Sequence, residues 1–169
     1  GTGTAMRICL ISQGESRSIL GPADLRPSSV TANLIPPQLN SRGDVVYVGE
    51  VAAAGITRDA ARKIFRYSAG SSTLLFEYPE RTFIRNLNTN DSGTIAMLLV
   101  DGRDAGIFTG PDLVRDKVIM TGDILFGSRV EDIPPDSWIR FLNNRGQIMF
   151  NYRLSNGVSG VALATPVRG

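Results

Sequence analysis

Apolar and polar residues alternate along several short stretches of the chain, and three of these stretches follow a similar turn. The turns are Asn40–Gly43, Asn90–Gly93 and Asn143–Gly146, each beginning with Asn and ending with Gly. Both residue types tolerate positive φ, and an Asn side chain can bond the backbone two residues on. The pattern therefore predicts three equivalent chain reversals, whose glycines lie 50 and then 53 residues apart.

Each turn glycine is followed by a segment typical of a β-strand. The segments are DVVYVGEV, TIAMLLVD and QIMFNYRL, which carry Val45, Ile95 and Ile148 at one matching position and a large apolar residue two places later. This period of two, with β-branched and aromatic residues, predicts strands. The intervening positions are also largely apolar, so we expect the strands to be covered on both faces.

A hairpin is predicted after two of these strands. LSNGVSG (154–160) and VDGRDAG (100–106) contain Asn-Gly and Asp-Gly, the strongest signals for a two-residue hairpin, and the returning strands are VALAT and IFTG. In the first repeat the connection is longer, AAAGITRDAARK, which we interpret as an insertion. A further shared turn aligns RICLISQG with KVIMTG, so that Gly14 matches Gly122, and Gly122 with Asp123 is predicted to form a turn.

These elements predict an all-β chain with three repeats of about four antiparallel strands, arranged like propeller blades. The repeats divide a single domain, 1–169, into a half-unit 1–36, units 37–86 and 87–140, and a half-unit 141–169. The first half-unit supplies what the last one lacks, which is how ring-shaped repeat proteins close. Propellers typically have four to eight blades. Three resolutions follow: two chains that meet to give six blades, a longer array, or a β-trefoil or β-prism.

The repeat pattern resembles that of a known family. LNxxGQ(I/V)xF…LxxGxxG(I/V), followed by TGDxLFGSxV, is similar to the unit of uncharacterised exported bacterial repeat proteins. The resemblance implies a β-propeller-like fold, a cell-surface or secreted location, often a C-terminal sorting signal, and no catalytic residues. It is strong in FLNNRGQIMFNYRLSNGVSGVALATP and weaker in the first unit, where Asp44 and Tyr47 stand at the Gln and Phe positions. Relative to those proteins, we expect a shorter chain without the sorting signal.

Composition narrows the possible chemistry. The net charge is +2, and the basic residues do not cluster, so no nucleic-acid partner is expected. The sequence contains no His, which removes the commonest general base and metal ligand, and the single Cys9 has apolar neighbours typical of an inert thiol. No apolar run approaches the roughly 20 residues of a membrane helix. We therefore expect no cofactor, no metal and no membrane span.

Acidic residues are concentrated in the middle repeat. Two carboxylates at a suitable separation can hydrolyse glycosides. Several of these acids lie beside Gly or Pro, however, where Asp commonly serves a turn. Glycoside hydrolysis is therefore kept as a remote alternative, and no catalytic residue is assigned. The acids are Asp101, Asp104, Asp112, Asp116 and Asp123.

Four residues are candidates for ligand binding. Arg42 and Arg145 occupy the same place in their units, directly before the turn glycine, and around a common axis they would share a face that suits acidic sugars or carboxylates. Trp138 and Tyr152 are candidates for stacking on sugars. The sequence thus indicates a non-catalytic β-repeat scaffold or binding module that self-associates and takes a carbohydrate or protein ligand. The alternative is a lectin-like carbohydrate-binding module.

Overall fold

The computed structural model describes residues 8–12, 15–20, 35–51, 61–78, 82–134 and 141–167. Across these ranges the chain forms strands and turns, and the predicted all-β class is confirmed. None of the described segments makes a helix long and apolar enough to cross a membrane. The strands are β1 (Ile8–Ser12), β2 (Glu15–Leu20), β3 (Gln38–Leu39), β4 (Val45–Val51), β5 (Ala61–Ser68), β6 (Ser71–Tyr78), β7 (Phe83–Thr89), β8 (Ile95–Asp101), β9 (Asp104–Phe108), β10 (Lys117–Met120), β11 (Ile124–Leu125), β12 (Ser128–Asp132), β13 (Ile148–Leu154) and β14 (Ser159–Ala164).

Twelve of the strands form three sheets of four, and in each sheet the strands follow one another in chain order. Sheet 1 contains β3 to β6, sheet 2 contains β7 to β10, and sheet 3 contains β11 to β14; all neighbouring strands are antiparallel. The strands β1 and β2 form a separate hairpin. The predicted repeats of about four antiparallel strands are therefore confirmed.

The sheets pack on each other through two apolar cores. One core joins sheets 1 and 2 and includes Val46, Ile64 and Met97; the other joins sheets 2 and 3 and includes Leu98 and Phe150. Successive residues of a strand point to opposite faces, so Met97 and Leu98 of β8 enter different cores. Sheet 2 is consequently buried on both sides, like a blade between two others.

Coverage of both faces, expected for all three strands that follow a turn glycine, is confirmed for β8 and wrong for β13. Residues Ile95–Leu99 of β8 are all buried. In β13, by contrast, buried and exposed residues alternate: Ile148 and Phe150 are buried, whereas Met149 is 47% exposed. The reason is that one face of sheet 3 contacts sheet 2, and no described sheet packs on the other face.

Two hairpins use a non-glycine residue with positive φ. Ala69 (φ 50°) precedes Gly70 in the turn from β5 to β6, and Phe126 (φ 51°) precedes Gly127 between β11 and β12. Positive φ at both central residues defines a type I′ turn, which suits the twist of a hairpin. Side chains other than Asn, Asp and Gly enter this region at a cost, so the bulky, exposed Phe126 is the unusual member of the pair.

The insertion predicted in the first repeat lies partly at 52–60, outside the described residues.

Candidate functional site

The three Asn-to-Gly turns have the same internal geometry. In the first, the backbone N–H of Asn40 donates to the carbonyl of Asp44 (3.1 Å), and that of Gly43 donates back to Asn40 (3.2 Å); the other two turns repeat both bonds at 3.0–3.1 Å. The glycines have φ of 82°, 84° and 76°. The Asn40 side-chain oxygen also accepts the N–H groups of Arg42 (3.0 Å) and Asp44 (2.9 Å). Each Asn therefore closes its own turn.

The same Asn side chains join one turn to the next. Asn40 Nδ2 donates to the carbonyl oxygen of Asn90 (3.2 Å), and Asn90 Nδ2 donates in turn to the carbonyl oxygen of Asn143 (3.0 Å). Asn40 and Asn90 are buried, with 7% and 3% exposure. A buried amide that lost these acceptors would be costly, so Asn is required here for contacts between repeats as well as for the turn.

A second row of bonds runs beside the first, through the residue that follows each Asn. The backbone N–H of Ser41 donates to Asp91 Oδ1 (2.8 Å), and the backbone N–H of Asp91 donates to Asn144 Oδ1 (3.0 Å). Asn144 Nδ2 returns a bond to Asp91 Oδ2 (2.6 Å). We call the two rows together the turn ladder. It fixes the register of the three repeats at one end of their sheets.

Two carboxylates, Asp91 in the turn ladder and Asp44 beside it, have lowered pKa values. Hydrogen bonds from the Ser68 hydroxyl and the Asn40 amide, together with the positive charge of Arg42, lower the pKa of Asp44 against the opposing effect of its desolvation. Hydrogen bonds from Ser41 and then from Asn144 lower the pKa of Asp91. Both groups act as acceptors, and donors that favour the charged form make a carboxyl more acidic.

The turn ladder borders an open groove of ≈ 290 Å³. All three repeats contribute to it, with residues at matching positions. No hydrogen bond joins the first turn to the third in the described structure. The hydrogen bonds therefore join the first turn to the second and the second to the third. The lining residues are Leu39, Asn40, Ser41, Thr89, Asn90, Asp91, Leu142 and Asn144.

The ladder is open at both ends. At the third turn, Asn143 Nδ2 donates only to Gln147 Oε1 (2.9 Å), and the backbone N–H of Asn144 has no acceptor within the described residues. At the first turn, the carbonyl of Asn40 accepts only from Gly43 within those same residues. The third turn therefore has unused donors and the first turn an unused acceptor. These groups occupy the same positions as those that bond one turn to the next within the ladder.

The predicted arginines differ in their surroundings. Arg42 is about half exposed, at 52%, and its guanidinium lies 3.1 Å from Asp44 Oδ2. Its guanidinium also lies close to the next turn: a Cβ added to Gly93 would be 3.2 Å from Arg42 Nη2. Arg145 occupies the matching place in the third turn and is exposed. An ion pair with Asp44 of its own repeat therefore partly neutralises the positive charge of Arg42.

The predicted aromatic residues also separate. Tyr152 is partly buried and its ring lies 5.7 Å from that of Phe126, tilted by 56°. Phe126 is 73% exposed, so the pair presents an aromatic surface on sheet 3. Phe126 was not predicted from the sequence; the only local signal is a bulky residue directly before Gly127. Trp138 lies outside the described residues.

The acidic side chains of the middle repeat accept hydrogen bonds within turns and form ion pairs with basic side chains. Asp112 accepts the backbone N–H groups of Val114 (3.0 Å) and Arg115 (2.9 Å), which lower its pKa. Asp123, beside the turn glycine Gly122 (φ 92°), accepts the N–H of Met120 (2.8 Å) and pairs with Lys117 Nζ at 2.7 Å. Asp116 accepts the N–H of Asp112, Asp104 accepts the Thr121 hydroxyl, and Asp101 is exposed opposite Asp104. Arg115 forms ion pairs with Asp112 (4.0 Å) and Asp116 (3.4 Å). No set of three or more potential metal-ligating His, Cys, Asp or Glu side chains occurs in the described ranges.

Sheet 3 has an exposed apolar face. Met149 and Leu163 lie opposite each other in the pairing of β13 with β14, and Val161 follows on the same face. Their exposures are 47%, 59% and 62%. Most of the large exposed hydrophobic side chains of the described structure belong to this sheet or to the residues that flank it. The others there are Ile124, Phe126, Val158 and Val167.

Comparisons with protein-family models, with curated proteins and with solved structures found no match to this chain.

Proposed function

We propose that the chain is a non-catalytic β-repeat scaffold and binding module that works by associating with further copies of itself. The observation that carries this proposal is the exposed apolar face of sheet 3, formed by Met149, Val161 and Leu163. Exposed contiguous apolar surface marks interaction sites on soluble proteins. The resemblance to exported bacterial repeat proteins suggests, in addition, a place at the bacterial cell surface or outside the cell.

The turn ladder supports a structural role for the polar residues. The side chains of Asn40, Asn90 and Asp91 bond to other parts of the same chain. Groups that are satisfied internally stabilise the stacking of repeats and are not pre-arranged for chemistry. The groove beside them is a surface to which a partner can bind.

Light scattering behind a sizing column tests the proposal. We expect a mass near twice the 18.2 kDa of the chain. The variant Leu163→Glu places a charge on the apolar face and should shift the protein to the monomer. Its matched control is Leu74→Glu, at an exposed position of sheet 1 (45% exposed), which should leave the mass unchanged. A monomeric unaltered protein, or equal behaviour of the two variants, would contradict self-association through this face.

Carbohydrate binding is the second candidate, favoured by the aromatic pair of Phe126 and Tyr152. Exposed aromatic rings stack on the apolar faces of sugars, and a bulky residue held at positive φ is a strained feature of the kind found at ligand sites. Glycan-array binding by the unaltered protein, and its loss in Phe126→Asn, would support this function. Asn is chosen because it tolerates the positive φ of this turn. Absence of any glycan signal would leave the scaffold role alone.

A further inference from the structure

Strand β14 has an unpaired edge where the other two sheets have a strand. In sheets 1 and 2, the second strand after the turn glycine has a further strand paired to its outer edge. This second strand is β5 in sheet 1, which pairs with β6, and β9 in sheet 2, which pairs with β10. In sheet 3 the corresponding strand is β14, which pairs with β13 on one side only within the described structure. A free strand edge is a template for another strand. Sheet 3 thus lacks the strand that β10 supplies to sheet 2.

The chain contains one strand of matching sequence, β1. RICLISQG aligns with KVIMTG, so Ile11 and Ser12 correspond to Ile119 and Met120 of β10. Both segments are strands that end two residues before the aligned glycine. In this structure β1 pairs with β2 and with no other described strand. Its other edge is therefore available in the described structure.

Sheet 2 fixes the register in which β1 should pair with β14. Ile119 of β10 lies opposite Ile107 of β9, and Ile107 lies opposite Leu98 of β8. Leu98 corresponds to Asn151 of β13, counted from the turn glycine, and Asn151 lies opposite Val161. The next pair follows in the same way, with Met120 opposite Gly106 in sheet 2 and Gly160 at the matching place of β14.

We propose that β1 of a second copy adds to the free edge of β14, with Ile11 opposite Val161 and Ser12 opposite Gly160. The inference rests on the proposed self-association and names the strand that performs it. Strand addition supplies backbone hydrogen bonds along the whole edge. It also gives sheet 3 three strands after its turn glycine, which is the number that sheets 1 and 2 already have.

The turn ladder indicates that the partner is a second copy and not the same chain. The leftover donors, Asn143 Nδ2 and the backbone N–H of Asn144, match the leftover acceptor of a first turn, the Asn40 carbonyl. Within one chain, no hydrogen bond of the described residues joins these two ends. In the proposed assembly, a second copy seats its first turn on the third turn of the other copy, and its β1, which precedes that turn in the chain, is placed at the same junction. Two such junctions related by a two-fold axis close a ring of six repeats.

Engineered disulfides test this register. In a Cys9→Ala background, which removes the single native thiol, Ile11→Cys is combined with Val161→Cys. The matched control combines Ile11→Cys with Leu163→Cys, on the same face but two residues away. Disulfides need Cβ atoms about 3.5–4.5 Å apart, so the first pair should form a covalent dimer on a non-reducing gel and the control much less. Light scattering under reducing conditions checks that both variants keep the assembly of the unaltered protein.

Each outcome is decisive. A covalent dimer that forms preferentially in the Ile11 and Val161 variant supports the proposal. A disulfide within one chain would overturn the assignment to a second copy. A dimer by light scattering without the preferred disulfide would overturn this inference and leave self-association in place. A monomer in both assays would overturn the inference together with the proposed function.

Discussion

Asn144 and Asp91 exchange two hydrogen bonds between successive turns. The backbone N–H of Asp91 donates to Asn144 Oδ1 (3.0 Å), and Asn144 Nδ2 donates to Asp91 Oδ2 (2.6 Å). Asp91 also accepts from the backbone of Ser41 (2.8 Å). One carboxylate therefore connects all three repeats, and its two oxygens must both accept.

Exchanging the two side chains tests this connection. Asp91→Asn should lower the melting temperature, because its amide would then face the amide of Asn144. Asn144→Asp should lower the temperature further at neutral pH, because it places two carboxylates together. The double exchange restores an amide opposite a carboxylate and should recover most of the loss, as thermal unfolding at pH 7 will show. Additive losses in the double variant would contradict the pairing.

Acid should destabilise the protein through Asp44 and Asp91. The pKa of each carboxyl is lower in the folded protein than its ordinary value of 3.8. Their contribution to stability is therefore complete above about pH 5 and is lost as the pH falls through 3.8 and below. Thermal unfolding between pH 7 and pH 2 should show this decline. Asp44→Asn should lower stability at pH 7 by about 1–3 kcal/mol and flatten the decline; an equally steep decline in that variant would exclude a role for Asp44.

Two glycines at matching positions should respond differently to alanine. A Cβ on Gly106 would lie 2.6 Å from Phe108 Cε2 and 2.9 Å from Met120 Cβ, so Gly106→Ala should cost about 1–3 kcal/mol of stability. A Cβ on Gly160 would approach the hydroxyl end of Tyr152 at 2.8 Å. That end can move, so Gly160→Ala should cost less than about 0.5 kcal/mol. Denaturant unfolding of both variants measures the difference, and equal costs would contradict the packing around β9.

The hydroxyl of Tyr78 should stabilise the contact between sheets 1 and 2. It donates to the carbonyl of Gly110 (2.9 Å), and the residue is only 2% exposed. Burial, and then the charge of Asp116, raises the pKa of Tyr78, so the donor keeps its proton. Tyr78→Phe should cost about 1–2 kcal/mol by leaving that carbonyl unpaired. Tyr152→Phe, at a partly buried position of β13, is the control and should have little effect on urea unfolding.

The local structure of the repeats could be predicted from sequence because it depends on neighbouring residues. Asn before Gly specifies a turn by its own side chain, and the period of two in TIAMLLVD specifies a strand. Whether the second face of a strand is covered depends on which sheet lies beside it. β8 and β13 have similar patterns, yet only β8 has a neighbour on each side among the described sheets.

The turn ladder could not be predicted in the same way. It depends on a side chain reaching a carbonyl 50 or 53 residues away, as Asn40 and Asn90 do. A sequence signal exists in retrospect: every turn has a second polar residue directly after its Asn, namely Ser41, Asp91 or Asn144. A simple turn does not need that residue. The pairing of Arg42 with Asp44 was also missed, although the two lie only two residues apart.

The turn ladder has a consequence for how the molecule unfolds. Asn90 holds its own turn closed and at the same time bonds the turn after it. When one repeat opens, its neighbour loses a partly buried hydrogen bond as well as an apolar contact surface, so partial opening costs free energy from both. The three sheets should therefore melt in a single cooperative transition, although each contains its own complete set of local strand pairings.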